Sequence, residues 1–115
     1  MENVIVEKSF RFAVSIVNLC KYLREEKREY VLSKQLLRSG TSIGANVAEA
    51  QEAQSRADFI SKINIALKEA SETEYWLRLL RATDYLSAKE ANYLIQDCSE
   101  IKRILVAITK TLKTT

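Results

Sequence analysis

SKQLLRSGTSIGANVAEA, residues 33–50, is a run of small and polar side chains inside a proline-free sequence, and it holds both glycines of the chain, Gly40 and Gly44. Its apolar positions Leu32, Leu36, Ile43, Val47 and Ala50 nevertheless fall on one face of a 3.6-residue period, which predicts a helix. Each glycine inside a helix costs about 1 kcal/mol relative to alanine. Such a cost is offset where a second helix must approach closely, so Ser39, Gly40, Gly44 and Ala45 are read as positions that remove bulk from a helix-helix contact. The competing reading breaks the segment into two shorter helices at Ser39-Gly40.

Working outward, the segment before this run carries two adjacent apolar stripes. One passes through Ile5, Phe12, Ile16, Leu19 and Leu23, the other through Val6, Phe10, Ala13, Val17 and Cys20. Together they cover more of the helix perimeter than the core of a solitary bundle uses, which predicts contact with something beyond the chain's own core. Downstream, Ser55 to Asp58 and Ser87 to Glu90 have the form of capping boxes, marking two further helix starts. Phe59, Ile63, Ala66, Ala70, Thr73, Leu77 and Leu80 then step by fours and threes, as do Leu94, Cys98, Ile101, Leu105, Ile108 and Leu112. Both are core seams of long helices. Thr83-Asp84-Tyr85 forms the turn between them.

The expectation is an all-α, antiparallel up-down-up-down four-helix bundle, one domain over residues 1–115, with helices at about 4–26, 30–53, 56–83 and 88–112. A chain of 115 residues with 47% hydrophobic and 29% charged side chains is a globular one,. Glu7, Lys8 and Arg11 interrupt its most apolar stretch, which argues against a membrane span or a signal peptide and for a cytoplasmic protein. Cys20 and Cys98 sit in apolar stripes and read as buried free thiols.

No histidine is present. Glu49, Glu69 and Glu72 are the carboxylates that a bundle metal site or acid-base pair would use, but carboxylate bundle sites pair glutamate with histidine, and no tuned base accompanies them. Phosphate-cradling and dinucleotide glycine patterns are likewise missing. Catalytic residues, metal, cofactor and small-molecule substrate are therefore all expected to be none.

Two polar-apolar faces remain as candidate interface. On the second helix, Gln35, Ser42, Asn46 and Glu49 are spaced by seven, four and three, with Arg38 at the margin. On the third, Lys62, Ile65, Glu69, Glu72, Trp76 and Leu79 mix carboxylates with the one tryptophan. With Phe10 and Val17 on the first helix they form the candidate contact set, in which Trp76 suits an anchor because a rigid aromatic buries much area at little entropic cost. The alternatives are a solvated surface for the polar face and core packing for Trp76. Lys21, Arg24, Lys27, Arg28, Lys34 and Arg38 gather near the first corner, interleaved with Glu25, Glu26 and Glu29. Within them Lys27, Arg28, Lys34 and Arg38 are the candidate nucleic-acid contacts, set against a net charge of only +3,. Beyond Glu100 only bases follow, Lys102, Arg103, Lys110 and Lys113, which complement a helix C-terminus.

SKQLLRSGTSIGANVAEA followed by FISKINIALKEASETEYWLRLL resembles the four-helix-bundle proteins named after intervening sequences in bacterial 23S ribosomal RNA genes. Gln35-Leu36, Arg38-Ser39, Ser42-Ile43, Asn46, Glu49, Ala66-Leu67 to Glu72 and Tyr75-Trp76-Leu77 carry the likeness, which spans almost the whole chain. The resemblance implies a bacterial bundle that assembles as a homopentameric ring. It also implies kinship with the accessory variability protein of diversity-generating retroelements, which works with a reverse transcriptase and RNA. The functional expectation is a non-catalytic homo-oligomeric scaffold or adaptor with a protein or RNA partner and no membrane role. Direct RNA binding and carboxylate-based enzyme chemistry are the two alternatives.

Overall fold

The structure is a computed structural model and describes residues 3–113. Four helices follow in order: α1 Val4–Glu25, α2 Leu32–Ala50, α3 Arg56–Ala82 and α4 Ala88–Lys113. Neighbours in sequence are neighbours in space, α4 closes back on α1, and no diagonal pair of helices meets among the described residues. That is the antiparallel up-down-up-down bundle, 47 Å long with a nearly square 22 × 21 Å cross-section. No described helix is long and apolar enough to cross a membrane.

The heptad seams are the core. Ile63, Ala66, Ala70, Thr73, Leu77 and Leu80 of α3 are all buried, as are Leu94, Cys98, Ile101 and Leu105 of α4. Phe59 and Ile108 are partly buried at one end of the bundle. Both stripes of α1 feed the core: Ile5, Phe12, Ile16 and Leu23 of the first are buried, as is Cys20 of the second, with Val6 packed against them. Phe10 of the second stripe points out, 68% exposed.

Both predicted starts are capped, reciprocally at Ser87, whose amide donates back to Glu90, and at Ser55 with the Asp58 carboxylate accepting from the Gln54 amide instead,. Ser55 Oγ accepts from the Asp58 amide at 3.0 Å, and Ser87 Oγ accepts from the Glu90 amide at 3.1 Å. The turn after α3 is a Schellman closure: Asp84 takes φ 65°, its amide donates to the Arg81 carbonyl, and the Tyr85 amide donates to that of Leu80,.

Helix α2 is unbroken through Ser39-Gly40, but shorter than its 30–53 expectation at both ends. At its start the chain turns at Arg28, φ 52°, and the Glu29 carboxylate then accepts from the amides of Val31, Leu32 and Ser33 at 3.1, 2.8 and 2.7 Å. These amides are the open donors of a helix N-terminus, so Tyr30 and Val31 belong to the cap and not to the helix. At its end, residues 51–53 tighten into three-residue steps, Gln51 to Ala48, Glu52 to Glu49 and Ala53 to Ala50, which closes the helix at Ala50,.

The glycines face α1. A Cβ on Gly40 would stand 2.8 Å from Ile16 Cγ2, and one on Gly44 would stand 3.2 Å from the Ser9 carbonyl oxygen. Ser39 instead faces α3, where the Thr73 hydroxyl donates to its Oγ at 2.9 Å inside the core. Ala45 is exposed, so the small-residue contact is made by Ser39, Gly40 and Gly44 without it. Helices α1 and α4 meet most thinly. An open groove of about 570 Å³ runs between them, floored by Phe12 and Ile101 and rimmed by Glu7, Lys8, Arg11, Asp97 and Glu100.

Candidate functional site

The polar face of α2 and the mixed face of α3 lie side by side, because α2 and α3 pack along their length. Arg38 bridges them: its guanidinium pairs with Glu72 and, at 3.4 Å, with Glu69. Gln35 Oε1 accepts from the same guanidinium at 3.4 Å. Glu72 also accepts from the Trp76 indole N–H at 2.9 Å, which holds the ring half-buried on the helix surface, with Tyr75 edge-on at 5.1 Å between centroids. Further along, Lys62 pairs with Glu49 at 3.1 Å. The result is a surface whose side chains are fixed before any partner arrives.

Ser42 and Asn46 turn back onto their own helix. The Ser42 hydroxyl donates to the Arg38 carbonyl at 2.7 Å, and the Asn46 amide donates to the Ser42 carbonyl at 2.9 Å. One donor of each is thereby used within α2. Ile65, 38% exposed, and the half-buried Leu79 flank Trp76 at i−11 and i+3 along α3.

On the other side of α2, α1 presents Phe10 together with Val14, 46% exposed, and the half-buried Val17. Steps of four and three residues place these on one helical stripe. The structure thus separates the candidate interface into two faces, one on α1 and one shared by α2 and α3.

The candidate nucleic-acid residues divide between the first corner, Lys27 and Arg28, and helix α2, Lys34 and Arg38. Lys27 Nζ lies 5.9 Å from the Tyr22 ring centroid, and the neighbouring Arg24 stacks over Tyr30 at 5.5 Å. Arg28 carries the left-handed turn and Lys34 is exposed on α2. Arg38 is held by the α3 carboxylates. Of the C-terminal bases, Lys102 reaches Glu74 at 3.4 Å across the α3–α4 contact and Arg103 donates to Ser99, while the Lys113 side chain lies outside the described residues. Burial pushes the Glu74 carboxyl upward, but hydrogen bonds and positive charge from Arg78 and Lys102 outweigh it and hold the group below its usual range,.

Among the described residues no cluster of three or more acidic or thiol side chains could hold a metal ion. Cys20 and Cys98 are buried, free and on different helices. Each lies against a carbonyl oxygen, that of Ser33 at 3.4 Å and that of Ala70 at 3.1 Å. Desolvation raises Cys20 to about 11, with Arg24 opposing and Glu29 adding to the rise. The same effect, reinforced by Glu74, raises Cys98 to about 12. Neither is a nucleophile near neutral pH.

The feature that sequence reasoning missed is Glu29. In the sequence it is one more acid among alternating charges, and only the turn at Arg28 brings its carboxylate onto the α2 amides.

Comparison with curated proteins gives no match. Among solved structures, the fold is similar to the crystal structure, at 1.70 Å, of a protein of unknown function of the S23 ribosomal protein family from Bacteroides thetaiotaomicron. That protein is 58% identical, with a TM-score of 0.92 over 93% of this chain and 99% of its own. A family profile described as 23S rRNA-intervening sequence protein matches residues 1–107. With the profile spanning nearly the whole chain and the bundle shared with that solved structure, the chain belongs to the 23S rRNA-intervening sequence protein family.

Proposed function

We propose that this protein is a non-catalytic subunit of a homo-oligomeric ring, five copies in the form that its family resemblance implies, serving as a scaffold or adaptor for a nucleic-acid-processing partner. The observation that carries the reading is Phe10, 68% exposed on a helix whose inward stripe already fills the core. Unlike the exposed tyrosines, Phe10 has no polar tip to keep in water, and Val14 and Val17 continue it into an apolar patch that a second copy would cover,. The fixed Arg38, Glu72 and Trp76 group is the second support, since a pre-ordered aromatic loses little entropy on docking. The adaptor role follows from the absence of a tuned base or metal ligand set in the sequence, and from the resemblance to an accessory protein that works beside a polymerase.

Light scattering coupled to size exclusion tests the reading directly. The expected result is one species at a fixed multiple of the 13.2 kDa chain mass, reduced to the single-chain mass by Phe10→Glu with helicity retained. A native chain that runs as a monomer at tens of micromolar overturns it.

A further inference from the structure

We infer that the side of the bundle shared by α3 and α4, which neither candidate interface uses, binds the phosphate backbone of a single-stranded nucleic acid. Cations lace this side from end to end. Arg56 donates to the Leu112 carbonyl at one end, Lys102 reaches Glu74 in the middle, and Arg81 donates to Asn92 at the other. Arg78 pairs with the same Glu74 from one turn along α3, and Arg103 and Lys110 line a shallow open groove of about 510 Å³ with Lys102 and Ser99. From Asn92 to Lys110 the row runs about 27 Å along α4, at 1.5 Å per residue.

The acids of both helices turn elsewhere. On α4, Glu100 pairs with Lys8 of α1 at 3.1 Å, Asp97 lines the α1–α4 groove, and Glu90 lies beside Ser15 and Asn18 of α1. On α3, Glu69 and Glu72 hold Arg38 of α2, and Asp58 accepts from the Gln54 amide ahead of the helix. That leaves Glu74 within the face and Asp84 in the turn at its end, two acids against the six cations named, with Lys68 a further cation at the outer edge of α3. The excess of the six over the two is larger than the +3 of the whole chain, so the surplus of bases is concentrated here. Helix dipoles do not account for it. Their hold on a cation fades beyond the last turn, which covers Arg81, Lys110 and the Arg56 contact to Leu112 but not Arg78, Lys102 or Arg103,.

The side chains between the cations favour nucleic acid over protein. A protein partner is held by an apolar centre. Of the large hydrophobic side chains exposed on α3 and α4, Ile65 belongs to the face shared with α2 and Tyr93 lines the α1–α4 groove. The third is Tyr75, 58% exposed. Steps of three, four and three residues put Lys68, Ser71, Tyr75 and Arg78 on one outer stripe of α3, so this ring stands between cations,. A basic row beside a solvent-facing ring grips phosphates and stacks an unpaired base, which a duplex keeps inside its own stack.

Fluorescence anisotropy with a labelled oligouridylate tests the assignment. Neutralising about four phosphates of a single strand gives a log–log salt slope near −3, a loss of roughly 50-fold between 50 and 200 mM salt. Arg103→Glu with Lys110→Glu, both at exposed positions, is expected to weaken binding by at least about tenfold and to flatten that slope, with helicity and assembly mass unchanged,. Lys27→Glu with Lys34→Glu makes the same charge change at the first corner and should stay within about twofold of the native chain. Tyr75→Ala should lose severalfold in affinity and keep the native slope. No binding by the native chain, an equal loss in the corner variant, native affinity in Tyr75→Ala, tighter binding when the strand is annealed to oligoadenylate, or equal competition by polyglutamate each overturns the assignment. So does a changed assembly mass in the Arg103, Lys110 variant, which would make this side a contact between copies. The ring reading fails separately, on the mass of the native chain.

Discussion

Ile16 of α1 seats its side chain directly on the bare backbone of Gly40, so that a Cβ there would stand 2.8 Å from Cγ2 and 2.9 Å from Cγ1. Isoleucine is branched next to its own backbone and cannot swing aside. Gly40→Ala is therefore expected to destabilise the bundle by roughly 1–2 kcal/mol through overpacking, despite the better helix propensity of alanine. Ile16→Ala in the same chain clears the obstruction, and the pair should lose less than the sum of its parts by about 1 kcal/mol. Gly44→Leu, facing the Ser9 carbonyl, should cost roughly 1–3 kcal/mol. Urea denaturation at fixed chain concentration measures all four variants, and strict additivity at residues 16 and 40 would count against the contact.

Glu29→Ala is expected to cost about 1–2 kcal/mol, a large effect for an acidic residue in a corner, because three α2 amides lose their acceptor,. Glu29→Gln, which keeps one oxygen, should fall between the two. Hydrogen exchange locates the loss: protection should drop first at the amides of residues 31–33.

Between α2 and α3 the buried pair Thr73 and Ser39 gives a different signature. Thr73→Val alone removes the donor to Ser39 and is expected to cost about 1 kcal/mol. Adding Ser39→Ala should recover part of that loss, since no polar group is then left facing an apolar neighbour. Thermal midpoints of the two single variants and the double variant decide it.

The two thiols give the bundle an alkaline limit. A cysteine in the unfolded chain ionises near pH 8.5, while folded Cys20 and Cys98 hold their protons to about 11 and 12,. The folded state thus binds more protons across that interval, and the stability that these thiols contribute is complete below about pH 8.5 and is lost as pH rises through the folded values. The urea midpoint should fall between pH 8.5 and pH 10.5, and Cys20→Ala should flatten the slope. At pH 8, dithionitrobenzoate should react with neither thiol until denaturant is added.

Much of this molecule is legible in its sequence because helical bundles write their core as a period. The seams of α3 and α4, the inward stripe of α1 and both capping boxes follow from spacing alone, and Gly40 and Gly44 announce a close approach by their cost. What stayed hidden depends on atoms brought together from a distance. Glu29 caps α2 only because Arg28 adopts a left-handed turn. Arg38 is one base among several near a corner until α3 supplies two carboxylates, and Ala45 resembles Gly44 until the helix phase places it outside. The face around Trp76 was readable as unusual but not as ordered, because the indole–Glu72 hydrogen bond and the Tyr75 edge contact require side-chain directions that a residue list does not contain.

Gly40 and Gly44 hold the α1 and α2 backbones close enough that the inclination between these two helices is dictated from within. That inclination also sets how the exposed flank of α1 is aimed relative to the tryptophan-bearing flank across α2. The relative aim of the two flanks is then inherited from a seam inside the chain, and a single methyl group added at Gly40 would re-aim both while leaving every exposed side chain in place.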